Sequence, residues 1–175
     1  MVTRLANKGA LVRDFSQEDV EQICVVREML HAKAAELIPL PVDPELLRRL
    51  TEIHEAHSRE VQRNNLREVH RLNIEFHRAL FAASGNKYLL KTIEEYSDMS
   101  LVFRSQLMSN PAMVRQARDQ HGAMVKALRQ GDRKKLVRLC TEHTRPSRDV
   151  YFALRGWSKN GSDNRLNPFL PKRAS

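Results

Sequence analysis

Apolar residues recur at three- and four-residue intervals through most of this chain, and capping and breaking signals divide it into six predicted helices. The first opens at Ser16. There Ser16 and Asp19 fit a capping box, and Phe15 and Val20 take the two positions of a hydrophobic staple. This helix runs to about Ile38, ahead of the PLPVDP break. Asp43 and Pro44 start a second helix, which ends near Asn64-Asn65. A third spans roughly Leu66 to Ala83, stopped by Ser84-Gly85-Asn86, and a fourth covers about Lys87 to Met108. Asn110-Pro111 starts the fifth, which stops at Gly131. Asp132 caps a sixth that reaches about Leu154, with Pro146 as a kink. Short connections between amphipathic helices predict an all-α antiparallel bundle. The first residues read as a short Leu-Val strand behind an Asn-Lys-Gly turn. Residues 156–175 lack periodicity and read as a poorly ordered tail, pinned by Trp157 or Phe169.

Polar residues interrupt the inward faces of these helices. Asn73 and His77 stack one turn apart on the third, beside Val69, Phe76 and Leu80. His121 sits in the line Val114, Ala117, Met124, Val125, Leu128. His143 sits among Leu136, Leu139, Cys140, Ser147, Val150 and Leu154. Three imidazoles and an amide in one interior are costly unless something satisfies them. Three histidines and an oxygen donor suit Zn, Ni or another borderline divalent ion, with positions left open for water or a ligand. Periodicity alone does not separate these residues from His57, which lies on the stripe Leu46, Leu50, Ile53, Val61.

Arg27 falls within the stripe Val20, Ile23, Cys24, Leu30, Ala34, Leu37, where it must either reach out to water or meet an anion. His31, one turn on, lies at the edge of the same region. The inward line of the fourth helix (Leu89, Ile93, Tyr96, Ser97, Ser100, Arg104, Leu107) turns small and polar, then charged, as a cavity wall would. His54 and His70 read as surface residues.

Composition narrows the function classes. At 175 residues the chain fits one domain with a sizeable core. Its net charge of +9 comes from Lys and Arg scattered over every helix and interleaved with acids, so no stripe dedicated to phosphates emerges. No apolar run is long enough to span a membrane, and the start lacks a secretory h-region, which predicts a cytoplasmic protein. Cys24 and Cys140 fit buried thiols in a reducing compartment.

Four segments, in order and spacing, carry a family resemblance: NKGALVRDFSQEDVEQICVVREML, NIEFHRALFAASGN, QHGAMVKALRQGD and TEHTRPS. Over about residues 8–154 the chain resembles the FCD domain, the C-terminal effector-binding domain of GntR-family transcriptional regulators of the FadR/VanR type. The resemblance implies an antiparallel bundle of six or seven helices around a cavity for a small carboxylate. It also implies a divalent metal at Asn73, His77, His121 and His143, with Arg27 as a carboxylate partner. Arg104, Ser97, Ser100 and His31 complete the expected effector-binding set. It divides the chain into a wing or linker remnant at 1–13, the effector domain at 14–155 and the tail at 156–175. Asn73 stands where the family more often has Asp, which removes a negative charge from the metal site, and His31 stands where it has Glu. The family's N-terminal winged helix-turn-helix does not fit before residue 14, so DNA is expected as a partner only through that missing module, in a homodimer.

The leading expectation is therefore a non-enzymatic sensor that binds metal and an organic acid and modulates DNA binding. A metal-dependent hydrolase or lyase is a second reading, but it needs a general base, and helical rotation turns Glu75 and Glu142 away. A third is non-specific binding of nucleic acid by a basic helical protein.

Overall fold

The computed structural model describes residues 2–5, 9–12 and 15–157. Two short strands, β1 (Val2–Leu5) and β2 (Gly9–Val12), pair antiparallel with Val2 opposite Val12. Only the second was expected. The rest is helical: α1 (Gln17–Leu37), α2 (Pro44–Gln62), α3 (Leu66–Ala82), α4 (Lys87–Met99), α5 (Leu101–Arg104), a 3-10 turn (Ser105–Ser109), α6 (Pro111–Arg129), α7 (Arg133–Glu142) and α8 (Arg145–Arg155). Trp157 packs against Tyr151 and Phe152, and the tail it was expected to pin lies from residue 158 on outside the described residues. Phe169 lies outside the described residues.

The caps act as their residue types dictate. Ser16 and Asp19 form the capping box, and the side chains of Asp43, Asn86, Asn110 and Asp132 each accept backbone N–H groups at a helix start. Gly85 and Gly131 take positive φ at the turns after α3 and α6. One cap is not local. Arg133, in the first turn of α7, donates through Nη1 to the carbonyls of Ile38 (2.9 Å) and Glu36 at the end of α1. Arg133→Ala is expected to lower stability by about 1–2 kcal/mol. The measurement is a urea midpoint at unchanged slope, and an unmoved midpoint would mean that water serves those carbonyls equally well.

Two of the six expected helices are broken. The fourth ends at Ser100, whose hydroxyl donates to the Ser97 carbonyl at 2.8 Å; Ser105 and Ser109 repeat that back-bonding on Val102 and Gln106. Such hydroxyls compete for carbonyls that would otherwise continue the helix. The sixth breaks between His143 and Arg145. Pro146 has no N–H to give, and the Thr144 and Ser147 hydroxyls take the Thr141 and Thr144 carbonyls. The break resets the helical phase. Tyr151 and Phe152 are buried, whereas Leu154, expected inward, is 56% exposed.

Two apolar clusters result. The larger gathers Ala34, Ile38, Leu50, Phe76, Leu80, Met124, Leu128 and Leu136. The smaller gathers Phe15, Val20, Ile23, Cys24, Phe103, Tyr151 and Phe152. Helix α1 runs through both, packing on α7 and α4. Its inward face reads apolar at Val20–Cys24, polar at Arg27 and His31, and apolar again at Ala34, Ala35 and Ile38. Leu37, expected inward, is 40% exposed. The polar layer between the two clusters is where the site lies.

Candidate functional site

Three histidines meet there from different helices. His77 comes from the middle of α3, His121 from α6, and His143 from the residue that ends α7. The His77 Nε2 atom is 3.1 Å from His143 Nε2 and 3.2 Å from His121 Nε2, and the three possible ligand atoms all lie within 4.8 Å of one another. Phe76 stacks on His121 with ring centroids 4.3 Å apart, and Phe81 lies parallel to His77 at 5.7 Å, so aromatic faces hold the rings. The break at His143 leaves its ring in the cluster.

Tautomers decide what this arrangement can do. His143 Nδ1 donates to Gln120 Oε1 at 2.7 Å, which leaves its Nε2 as a bare lone pair. One proton on His77 Nε2 cannot serve both neighbours. The Nδ1 atoms of His77 and His121 are buried without a hydrogen-bond partner among the described residues. Charging the rings is no remedy. Burial, first of all, and the neighbouring cations push His143 down to about 3, and burial holds His77 and His121 well below the ordinary imidazole range. A divalent ion accepts all three lone pairs at once. Ligand atoms at about 2.0–2.1 Å from such an ion stand about 2.9–3.4 Å apart, which matches the two short contacts. The residues present fit a metal.

Asn73, one turn before His77, lines an adjoining cavity of about 60 Å³ with His57, His70 and Arg104. His57 is buried against His121, with ring centroids 5.2 Å apart, and stands outside the trio.

On the other side of the trio a cavity of about 140 Å³ is lined by Arg27, His31, Ser97, Arg104, His77 and His143, with Phe81, Leu90 and Ile93 as its apolar wall. Arg27 does not reach water: it is 5% exposed, and its Nε and Nη1 are buried without a partner among the described residues. Burial, and then the neighbouring Arg104, lower its pKa to about 9. Arg104 donates to the Ser97 carbonyl at 3.4 Å and faces both cavities. His31 is buried and lies against Phe81 at 4.6 Å. Ser100 departs from expectation. Its buried hydroxyl is committed to the Ser97 carbonyl, and it does not line the cavity. His54 and His70, read as surface, are both partly buried. His70 lines both cavities, and His54 packs so closely on α6 that a Cβ on Gly122 would lie 2.9 Å from its Nε2.

A family model for the FCD domain matches residues 22–145, the stretch that supplies all three histidines and both arginines. The chain belongs to the FCD domain family. FCD domains are the ligand-sensing regulatory domains of GntR-type transcription regulators, and the all-α bundle found here is theirs. Two solved structures are similar to this FCD domain. The E. coli protein McbR/YncC is 18% identical, with a TM-score of 0.76, the match covering 88% of this chain and 74% of that one. A structure described by the statement that Lar controls the expression of the Listeria monocytogenes agr system and mediates virulence is 13% identical. Its TM-score is 0.66, and the match covers 87% of this chain and 73% of that one. Both likenesses are of fold. A comparison with curated proteins gives no match. Among the described residues no helix is long and apolar enough to cross a membrane.

Sequence reasoning missed Gln120. Its signal is weak: it precedes His121 but serves His143, 23 residues away, and no periodicity reports that pairing.

Proposed function

We propose that this FCD domain binds a divalent metal, Zn or Ni, on His77, His121 and His143, with Asn73 beside them. The adjoining cavity then takes a small carboxylate effector whose binding modulates DNA binding by the full-length, cytoplasmic homodimer. DNA is read by the winged helix-turn-helix of that regulator. The observation that carries this reading is the convergence of three Nε2 lone pairs beside a buried, unpartnered guanidinium.

When bound, the ion supplies a Lewis-acid contact for one effector oxygen. Arg27 and Arg104 supply charge-assisted hydrogen bonds, and the wall of Phe81, Leu90 and Ile93 keeps water from screening them. Both helix breaks border this cavity, one next to Arg104 and one at His143. An effector held by both would bias the angles at those breaks, and only such differential affinity moves a conformational equilibrium.

The hydrolase reading has less support. Glu75 pairs with Arg71 on the outer face of α3, Glu94 pairs with Arg78, and Asp98 is exposed. Among the described residues no buried carboxylate is thereby offered to the trio as a general base. Chelator-treated protein is expected to take up Zn²⁺ or Ni²⁺, and metal at 100 times its Kd should raise Tm by roughly 5–10 °C. Carboxylates should raise it further. His77→Ala, which removes the imidazole touching both others, should abolish uptake. Uptake retained in the variant, or absent in the wild type, would sink the assignment.

A further inference from the structure

The sensor reading leaves the effector's charge open, and we infer that the cavity selects a small dianion over a monocarboxylate of the same size. This rests on that reading and on the charges facing the cavity. The cations in its lining are Arg27, Arg78 and Arg104, and the anions are Glu94 and Asp98. Arg78 Nε pairs with Glu94 at 3.0 Å, and both side chains are largely in water at the rim. Asp98 is exposed and acts on Arg104 only through space. Two guanidiniums therefore face the interior without a carboxylate to hold them.

Nothing nearby fills that role. Glu28, adjacent to Arg27 in sequence, is engaged by Arg145 at 3.2–3.3 Å. On its other side Arg104 meets His57, His70, Asn73 and apolar side chains, with no acid among the described residues of that cavity's lining. The three histidines and Asn73 are neutral donors, so a divalent ion would enter with its charge uncancelled. A buried, unpaired charge is strongly unfavourable, and a guanidinium is best satisfied by a carboxylate or phosphate that takes two of its N–H groups. A monocarboxylate brings one negative charge against two guanidiniums. A dicarboxylate or a phosphomonoester carries charge for both.

Size sets the upper bound. A cavity of about 150 Å³ accepts a molecule of benzene's size, so 140 Å³ suits a diacid of four or five carbons. The methylenes of such a diacid would lie against Phe81, Leu90 and Ile93.

Calorimetry on the full chain loaded with Zn²⁺ tests this with succinate, its monoamide succinamate, and glycerol 2-phosphate. The monoamide keeps the shape of succinate and loses one charge. At least one dianion is expected to bind about ten-fold or more tightly than succinamate, and which one does distinguishes a diacid from a phosphomonoester. Arg104→Gln should weaken the dianions by about ten-fold or more and bring them to the level at which the same variant binds succinamate. Because Arg104 is partly buried and its one side-chain hydrogen bond is a long one to the Ser97 carbonyl, the ligand-free melting temperature of that variant should change little. Arg104→Lys keeps the charge and should keep the preference, which guards against a folding artefact. Succinamate binding as tightly as either dianion, or a preference that survives in Arg104→Gln, overturns the dianion assignment and leaves the sensor reading intact. Metal uptake with no response to any acid overturns both.

Discussion

Between about pH 6.5 and pH 4.5 the metal-free protein is expected to lose most of its stability. Burial lowers His143 to about 3 and His57 to about 4, and holds His31, His77 and His121 well below the ordinary value near 6.5. Above that value both folded and unfolded chains carry these rings neutral, so stability is flat. Below it the unfolded chain binds protons that the native chain refuses, and stability falls with pH until the folded pKa is reached. Each such ring costs about 1.4 kcal/mol per pH unit. Over two units His143 and His57 alone remove about 5 kcal/mol, comparable with the whole stability of a modest domain. Urea midpoints at a series of pH values measure this. A midpoint unchanged from pH 6.5 to pH 4.5 would mean that the rings take up protons alike in the native and unfolded chains. Saturating Zn²⁺ should move the acid transition to lower pH, because ligation and protonation compete for the same lone pairs.

Phe76→Ala is expected to cost about 3–5 kcal/mol and to weaken metal binding together. Phe76 is fully buried in the larger apolar cluster, stacks on His121 and meets His77 edge-on at 5.7 Å. Its removal leaves a cavity and also frees the His121 ring to turn. Equilibrium unfolding and a Zn²⁺ titration read the two effects. Phe76→Leu, which keeps apolar volume but loses the flat face, should recover more of the stability than of the metal affinity. Stability lost with metal affinity intact would show that α6 alone orients His121.

What was legible in the sequence is local chemistry. Ser16, Asp43, Asn86, Asn110 and Asp132 cap helices because their side chains reach N–H groups two or three residues away. His77 and His121 fell inward because the 3.6-residue repeat puts them on apolar stripes. Motif order joined them to His143, and periodicity alone could not set His57 aside.

The breaks at Ser100 and His143 were harder to read. Hydroxyl back-bonding and one proline end those helices, but equally plausible signals elsewhere, such as Thr51 and Thr92 bonding to Leu47 and Tyr88, leave theirs intact. Sequence by itself determined which residues cap, which face inward and which imidazoles could share an ion, since all of these follow from contacts within a turn or two. Tertiary structure alone decided that Arg27 stays buried rather than reaching water, that Gln120 sets the tautomer of His143, and that Arg133 caps α1. Each depends on partners from separate helices, and a side chain chooses between water and a distant partner only once packing has closed off the water.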